Sequence, residues 1–338
     1  MFTKFLKYSI VAVYFLIFIG SVVRSTGSGM GCPDWPTCFG SYIPPSSEAD
    51  LRKDYREYFT DIRQKKNEKL AYVFSLLGLS DVLEDKADFH TTYEDIEYSA
   101  FKAWIEYINR LIGVIVGFLV LGVFITSLKF LKSTANRYLF FLSLFSMVLL
   151  LVQAYLGSIV VSSNLFPGLI SLHMFLALLL LGVLIYMMFS FKYRNNVVCV
   201  KSVPKYLIWL SLIVIIFSAL QLFLGVQVRE SVDFIHHELN IYSGVIQLLD
   251  YKFYVHRSFS LIIIALNVWL VFCVYRYGLN NSYVAWVIPI IIMEVFAGVA
   301  LGYFDLTPFA QPFHLLLSTV LIGMQFLCFL YIKFVANK

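Results

Sequence analysis

Charge is what this sequence has least of. Asp, Glu, Lys and Arg make up 14% of its 338 residues, while 60% are hydrophobic. A soluble domain of this length carries far more charge, so that class is excluded. The net charge of +5 does not point to nucleic acid either, because the basic residues sit in alternate connections between apolar runs. Lys4 and Lys7 precede the first run, and Lys129, Lys132 and Arg137 lie between the second and third. Lys192, Arg194, Lys201 and Lys205 lie between the fourth and fifth, Arg276 follows the sixth, and Lys333 and Lys338 end the chain. The intervening short connections, 162–167 and 304–310, have no Lys or Arg. The positive-inside rule then puts both termini in the cytoplasm, with a bacterial plasma membrane as the expected location. Also lacking are a small-residue cleavage site after the first apolar run and an Arg- and Ser-rich leader, so neither a secretory signal nor a transit peptide is expected.

What is there is apolar length. Eight runs of about 20 residues are each long enough to cross a hydrocarbon core of about 30 Å. They lie near 8–24, 101–127, 137–161, 168–190, 206–227, 254–275, 283–303 and 312–333. The fold class is therefore an all-α polytopic membrane protein with eight transmembrane helices. The one sizeable connection, about 25–100, opens with a Gly- and Pro-rich turn region holding Cys32 and Cys38, which are expected to form a disulfide outside the membrane. A zinc site would need two more soft ligands nearby, and none is present. Cys199, Cys273 and Cys328 are isolated and read as inert. Leu51, Tyr55, Tyr58, Phe59 and Ile62 recur at helical spacing and predict an amphipathic helix over 47–69, with a second short helix over 70–82 and an irregular acidic stretch over 84–97. This insertion reads as a solvated appendage without chemistry.

The spans contain an internal repeat. Gly20 precedes Arg24 by four residues in span one, as Gly225 precedes Arg229 in span five. Gln153 precedes Gly157 by four in span three, as Glu294 precedes Gly298 in span seven. Asn109-Arg110 in span two answers His256-Arg257 in span six; His173 and His314 follow Gln153 and Glu294 by twenty residues each. Four matches in one order predict two pseudo-symmetric four-helix bundles, 1–195 and 196–338, related as parallel repeats about the membrane normal.

Of six histidines, His90, His236 and His237 fall in external loops and read as surface residues. His173, His256 and His314 fall a few residues inside even-numbered spans, at the level of Asn109. Two imidazoles on facing helices of one bundle are a standard means of holding haem, so His256 and His314 are read as haem-iron ligands. The competing reading is a structural histidine or a proton path. Arg24, Arg110, Arg229 and Arg257 lie near that level, either as propionate contacts or as snorkelling side chains. The four repeat glycines admit a macrocycle or, as the favoured reading, close helix packing. Glu106 and Asn109 share a helix face at the entrance of span two, where polar groups are costly without partners.

The stretch from Gly20 and Arg24 through Cys32-Pro-Asp-Trp-Pro-Thr-Cys38 resembles the signature of the haem A synthases, as do Glu106-Tyr-Ile-x-Arg110 and the spaced histidines. The resemblance covers all eight spans and leaves the charged insertion outside. It implies an oxidoreductase that converts the C8 methyl of haem O to the formyl group of haem A. It also implies a haem b held by His256 and His314, a substrate haem on His173, an acid–base role for Glu106, and the Cys32–Cys38 pair. Haem O synthase, cytochrome oxidase assembly factors and an electron donor are the partners it implies within the lipid bilayer, and a homo-oligomer is compatible with it. Where the family commonly has His, this chain has Asn109, a poor iron ligand. The expectation is a substrate haem with His173 on one face, and Asn109 and Glu106 beside the open one. Phe253 stands where the first half has Glu106, as expected if one half reacts and the other transfers electrons. The alternatives are a membrane dihaem b-type electron-transfer protein, a transporter with Glu and His proton relays, and an inactive family member.

Overall fold

The structure is a computed structural model that describes residues 1–76, 97–163, 167–193, 203–238, 244–279, 282–304, 306–307 and 309–336. Its eight apolar helices are α1 (Phe2–Ser25), α3 (Ala100–Ser127), α4 (Arg137–Ser162), α5 (Pro167–Tyr193), α6 (Lys205–Glu238), α8 (Tyr251–Arg276), α9 (Ser282–Tyr303) and α10 (Ala310–Ala336). Between them lie α2 (Tyr55–Leu76) and the single turn α7 (Val245–Leu248). Local chemistry starts two of the spans. The Ser99 hydroxyl accepts from Lys102 N ahead of α3, and the Asp250 carboxylate accepts from Lys252 N ahead of α8. Each span buries one stripe: on α3, Val116, Val120 and Val123 are buried, while Leu111, Val114 and Phe118 face outward. Outward apolar side chains on every span suit a hydrocarbon solvent and would be a liability in water.

Within each half the helices close a ring of four. α1 packs on α3 and α5, and α4 joins α3 to α5; α6 packs on α8 and α10, and α9 joins α8 to α10. The rings meet where α1 and α5 lie against α10, and α5 against α6.

The spans lie where the hydropathy put them, with one large difference. α6 continues about three turns past 227, because Val228, Val232 and Ile235 keep the helical period and bury against Val245, Leu249, Phe253 and Leu306. His236 is therefore in a helix and not a loop, and His237 shares that helix; His90 lies outside the described residues. Cys273 and Cys328 are buried free thiols, and Cys199 is outside the described residues.

The first connection is packed and not merely solvated. Cys32, Cys38, Phe39, Tyr55, Phe59 and Ala103 form a small core of their own. The helix expected over 47–69 begins later, at Tyr55, after a 3₁₀ turn at Glu48–Asp50, and it runs unbroken to Leu76. It absorbs the start of the second helix expected over 70–82; residues 77–96, with the rest of that helix and nearly all of the acidic stretch, are outside the described set. Tyr58 leaves the apolar face and is 43% exposed, with the Arg52 guanidinium 3.9 Å above its ring. Gly31 lies so close to α3 that a Cβ there would stand 2.5 Å from the Lys102 carbonyl carbon and oxygen. Backbone cannot yield as a side chain tip can, so Gly31→Ala is expected to cost about 1–3 kcal/mol. Thermal unfolding in detergent should show this as a lowered midpoint.

Candidate functional site

The histidines of the second ring converge. His256 is the sixth residue of α8 and His314 the fifth of α10, and their ring centroids are 6.4 Å apart with planes at 86°. Two imidazoles sharing one iron, with about 2 Å from metal to nitrogen and about 1 Å from nitrogen to ring centre, place their centroids about 6 Å apart. The observed separation is close to that value. His256 Nδ1 and His314 Nδ1 make no hydrogen bond among the described residues, although His314 Nδ1 is 3.2 Å from Glu294 Oε1. Among the described residues no third His, Cys, Asp or Glu completes a metal cluster with them. Such a pair suits a group that brings its own equatorial nitrogens, as a porphyrin does.

Each imidazole sits in a socket on the neighbouring odd-numbered span. A Cβ on Gly225 would lie 3.1 Å from His256 Cε1, one on Gly298 3.2 Å from His314 Cε1, and one on Gly157 3.5 Å from His173 Cε1. The repeat glycines thus make room for an imidazole edge from the adjacent helix. Four residues before each glycine stands a polar side chain. Gln221 Nε2 donates to the His256 carbonyl at 2.9 Å, and Gln153 Nε2 donates to the His173 carbonyl at 3.0 Å. Glu294 holds the corresponding place beside His314 and accepts from Ser318 Oγ. Gln221 was not singled out in the sequence, although its four-residue spacing to Gly225 repeats that of Gln153 to Gly157.

The fourth socket is incomplete. A Cβ on Gly20 would lie 3.9 Å from Asn109 Oδ1, so the register is the same, but Leu16 stands where the others have Gln or Glu. Asn109 Oδ1 and His173 Nδ1 are buried without a hydrogen-bond partner among the described residues. Unmet polar atoms in an apolar bundle imply a ligand or water that satisfies them.

Glu106 lies above Asn109 on α3 and is 3% exposed. It accepts from Cys32 N at 2.9 Å and pairs with Arg110. Arg110 Nη1 also donates to the carbonyls of Asp34 and Thr37, at 2.9 Å each. The pair therefore bolts the Cys32–Cys38 disulfide loop to α3. On α2, Lys66 is half-buried near Asp34 and Arg110; burial pushes its ammonium pKa down, against the pull of Asp34.

The other arginines are placed differently from one another. Arg24 reaches Asp233 Oδ2 with Nη2 at 2.9 Å and Nε at 3.1 Å, while Arg229 Nη2 lies 2.6 Å from Asp233 Oδ1. Arg229 Nη1 donates to Gln311 Oε1 at 2.5 Å. Arg257 is exposed. Asp233 escaped the sequence reading because it lies on the part of α6 that was expected to be loop.

The family model described as "Cytochrome oxidase assembly protein" (COX15-CtaA) matches residues 3–72 and 81–326. The chain belongs to this family. The family match runs through the insertion apart from eight residues, 73–80, so α2 up to residue 72 is family structure and not an addition outside it. A curated relative named Heme A synthase, from Shewanella oneidensis, is 26% identical over 203 residues, which is 60% of this chain and 49% of that protein. The aligned part thus spans about half the length of that relative. The sockets and the disulfide loop all lie within the family match.

Proposed function

We propose that this protein is a haem A synthase, oxidising the C8 methyl of haem O to a formyl group with electrons passed through a haem b. The observation that carries the reading is an inequality between two similar rings. One presents paired imidazoles at 6.4 Å; the other has His173 but carries Asn109 at the repeat position of His256. An electron carrier needs both iron faces held in each half, whereas a half with one imidazole leaves a face for chemistry. The name of the Shewanella oneidensis relative supports the same activity.

Haem b, when bound, supplies reversible one-electron transfer. His256 and His314 would hold it, with Gly225 and Gly298 giving their rings room, and Arg257 and the Nε of Arg229, unpartnered among the described residues, would face its propionates. In the first half His173 holds the substrate haem, and the Asn109 carboxamide offers a hydrogen bond on the open face. Glu106 takes the proton-handling role in this reading, with Oε1 paired to Arg110 and Oε2 accepting from Cys32 N. Residues 1–195 would form the substrate half and 196–338 the electron-transferring half. The protein would lie in a bacterial plasma membrane with both termini cytoplasmic and the disulfide loop outside, receiving haem O from its synthase and delivering haem A to cytochrome oxidase assembly.

Expression with a haem O source, followed by pigment extraction and chromatography, should yield haem A; haem b alone would replace this reading with the electron carrier. Glu106→Gln keeps an acceptor for Cys32 N and is expected to lower conversion about a hundredfold with haem b content unchanged. Asn109→Ala should lower conversion as well. Full conversion by either variant removes that residue from the mechanism.

A further inference from the structure

The repeat pairs Arg24 with Arg229, and the structure brings both to one carboxylate. Each Asp233 oxygen serves a different arginine: Oδ2 takes Arg24 and Oδ1 takes Arg229. Arg24 stands one turn beyond Gly20, which faces Asn109; Arg229 stands one turn beyond Gly225, which faces His256. The two guanidiniums thus belong to different halves. Arg229 also donates to the Arg24 carbonyl at 3.2 Å and to Gln311, three residues before His314. Its Nε is buried and has no partner among the described residues. A continuous polar link therefore runs from Arg24, one turn beyond the glycine that faces Asn109, through Asp233 and Arg229 to Gln311 on the turn that carries His314. Without Asp233 it would bring two like charges together in a partly buried setting, where repulsion is weakly screened.

We propose that Asp233 is a positioning residue that couples the two haem sites by sharing its carboxylate between Arg24 and Arg229. The inference rests on the reading of two haem-binding halves. An anion arriving at one arginine changes the charge that the shared carboxylate presents to the other, so occupancy of one site is felt at its neighbour, and reciprocally.

The test uses the full-length protein purified with its haem b. Two quantities are read: the midpoint potential of that haem by spectroelectrochemical titration, and the affinity for added haemin, as a probe of the first half, from Soret absorbance. Asp233→Asn removes a negative charge near a centre that gains an electron, so the potential should rise; it also frees Arg24 from its counter-ion, so haemin, with its anionic propionates, should bind about five- to tenfold more tightly. Arg24→Gln removes a positive charge in the other half and should lower the haem b potential. Asp233→Glu should stay near the parent in both readings. General structural damage would not give opposite shifts in the first two variants. An Arg24→Gln protein with unmoved haem b potential overturns the proposal, even if Asp233→Asn fails to fold; so does an Asp233→Asn protein in which one quantity moves alone. A parent protein that purifies without haem b overturns the two-haem reading and this coupling together, whereas unresponsive variants of a haem-loaded protein overturn only the coupling.

Discussion

Replacing His314 by alanine is expected to abolish the low-spin bis-imidazole spectrum and strip the protein of haem b. The two rings stand at the separation that a shared iron requires, and no second imidazole lies beside His256 to replace the lost nitrogen among the described residues. Loss of an outer-shell partner typically costs about ten- to a hundredfold in metal affinity, and loss of a ligand itself should exceed that. His256→Ala should behave alike. His173→Ala is the control: its socket, Gly157 and Gln153, lies in the other ring, and the haem b spectrum should survive. The measurement is the reduced-minus-oxidised difference spectrum with the haem-to-protein ratio. Wild-type haem content in His314→Ala would remove the ligand assignment.

Glu106→Ala should have the largest effect on stability. The carboxylate is buried, and it is the counter-ion of Arg110, which it holds beneath the disulfide loop. Truncating it leaves a partly buried guanidinium without its charge partner and Cys32 N without an acceptor. Breaking one side of a buried pair costs about 3–5 kcal/mol. The expected result is a lower unfolding midpoint together with faster proteolysis between Cys32 and α2, because the same residues fasten that loop to α3. Glu106→Gln should recover part of the stability by keeping the Cys32 N hydrogen bond, while remaining defective in conversion. Equal stability of the alanine variant and the parent would mean that the loop is fastened elsewhere.

These two variants also mark what the sequence could reveal. Spans were legible because a bilayer demands long apolar runs, and that demand appears in composition alone. His173 and His314 could be paired in the sequence because each follows a Gln or Glu by twenty residues, and His256 because His256-Arg257 answers Asn109-Arg110. The fastening role of Glu106 was not, since it depends on a loop folding back across seventy-four residues to Cys32 N. Asp233 was hidden for a different reason. The apolar run of span five fades before residue 228, and only the burial of Val228, Val232 and Ile235 against α7 and its neighbours carries the helix onward. The role of the glycines needed coordinates too, because a missing side chain does not say what fills its space.

The incomplete socket around Asn109 bears on how this chain can change. Asparagine and histidine codons differ by a single base, so an imidazole at 109 is one mutation away. That imidazole would face Gly20 but would meet Leu16 where Gln153 and Gln221 anchor their histidines. Leu16 offers no donor to the backbone carbonyl of residue 109, so that imidazole would enter a span lacking the hydrogen bond found at His173 and His256. The two halves therefore differ at this level in two places on separate helices, a missing ring on one and a missing amide donor on the other.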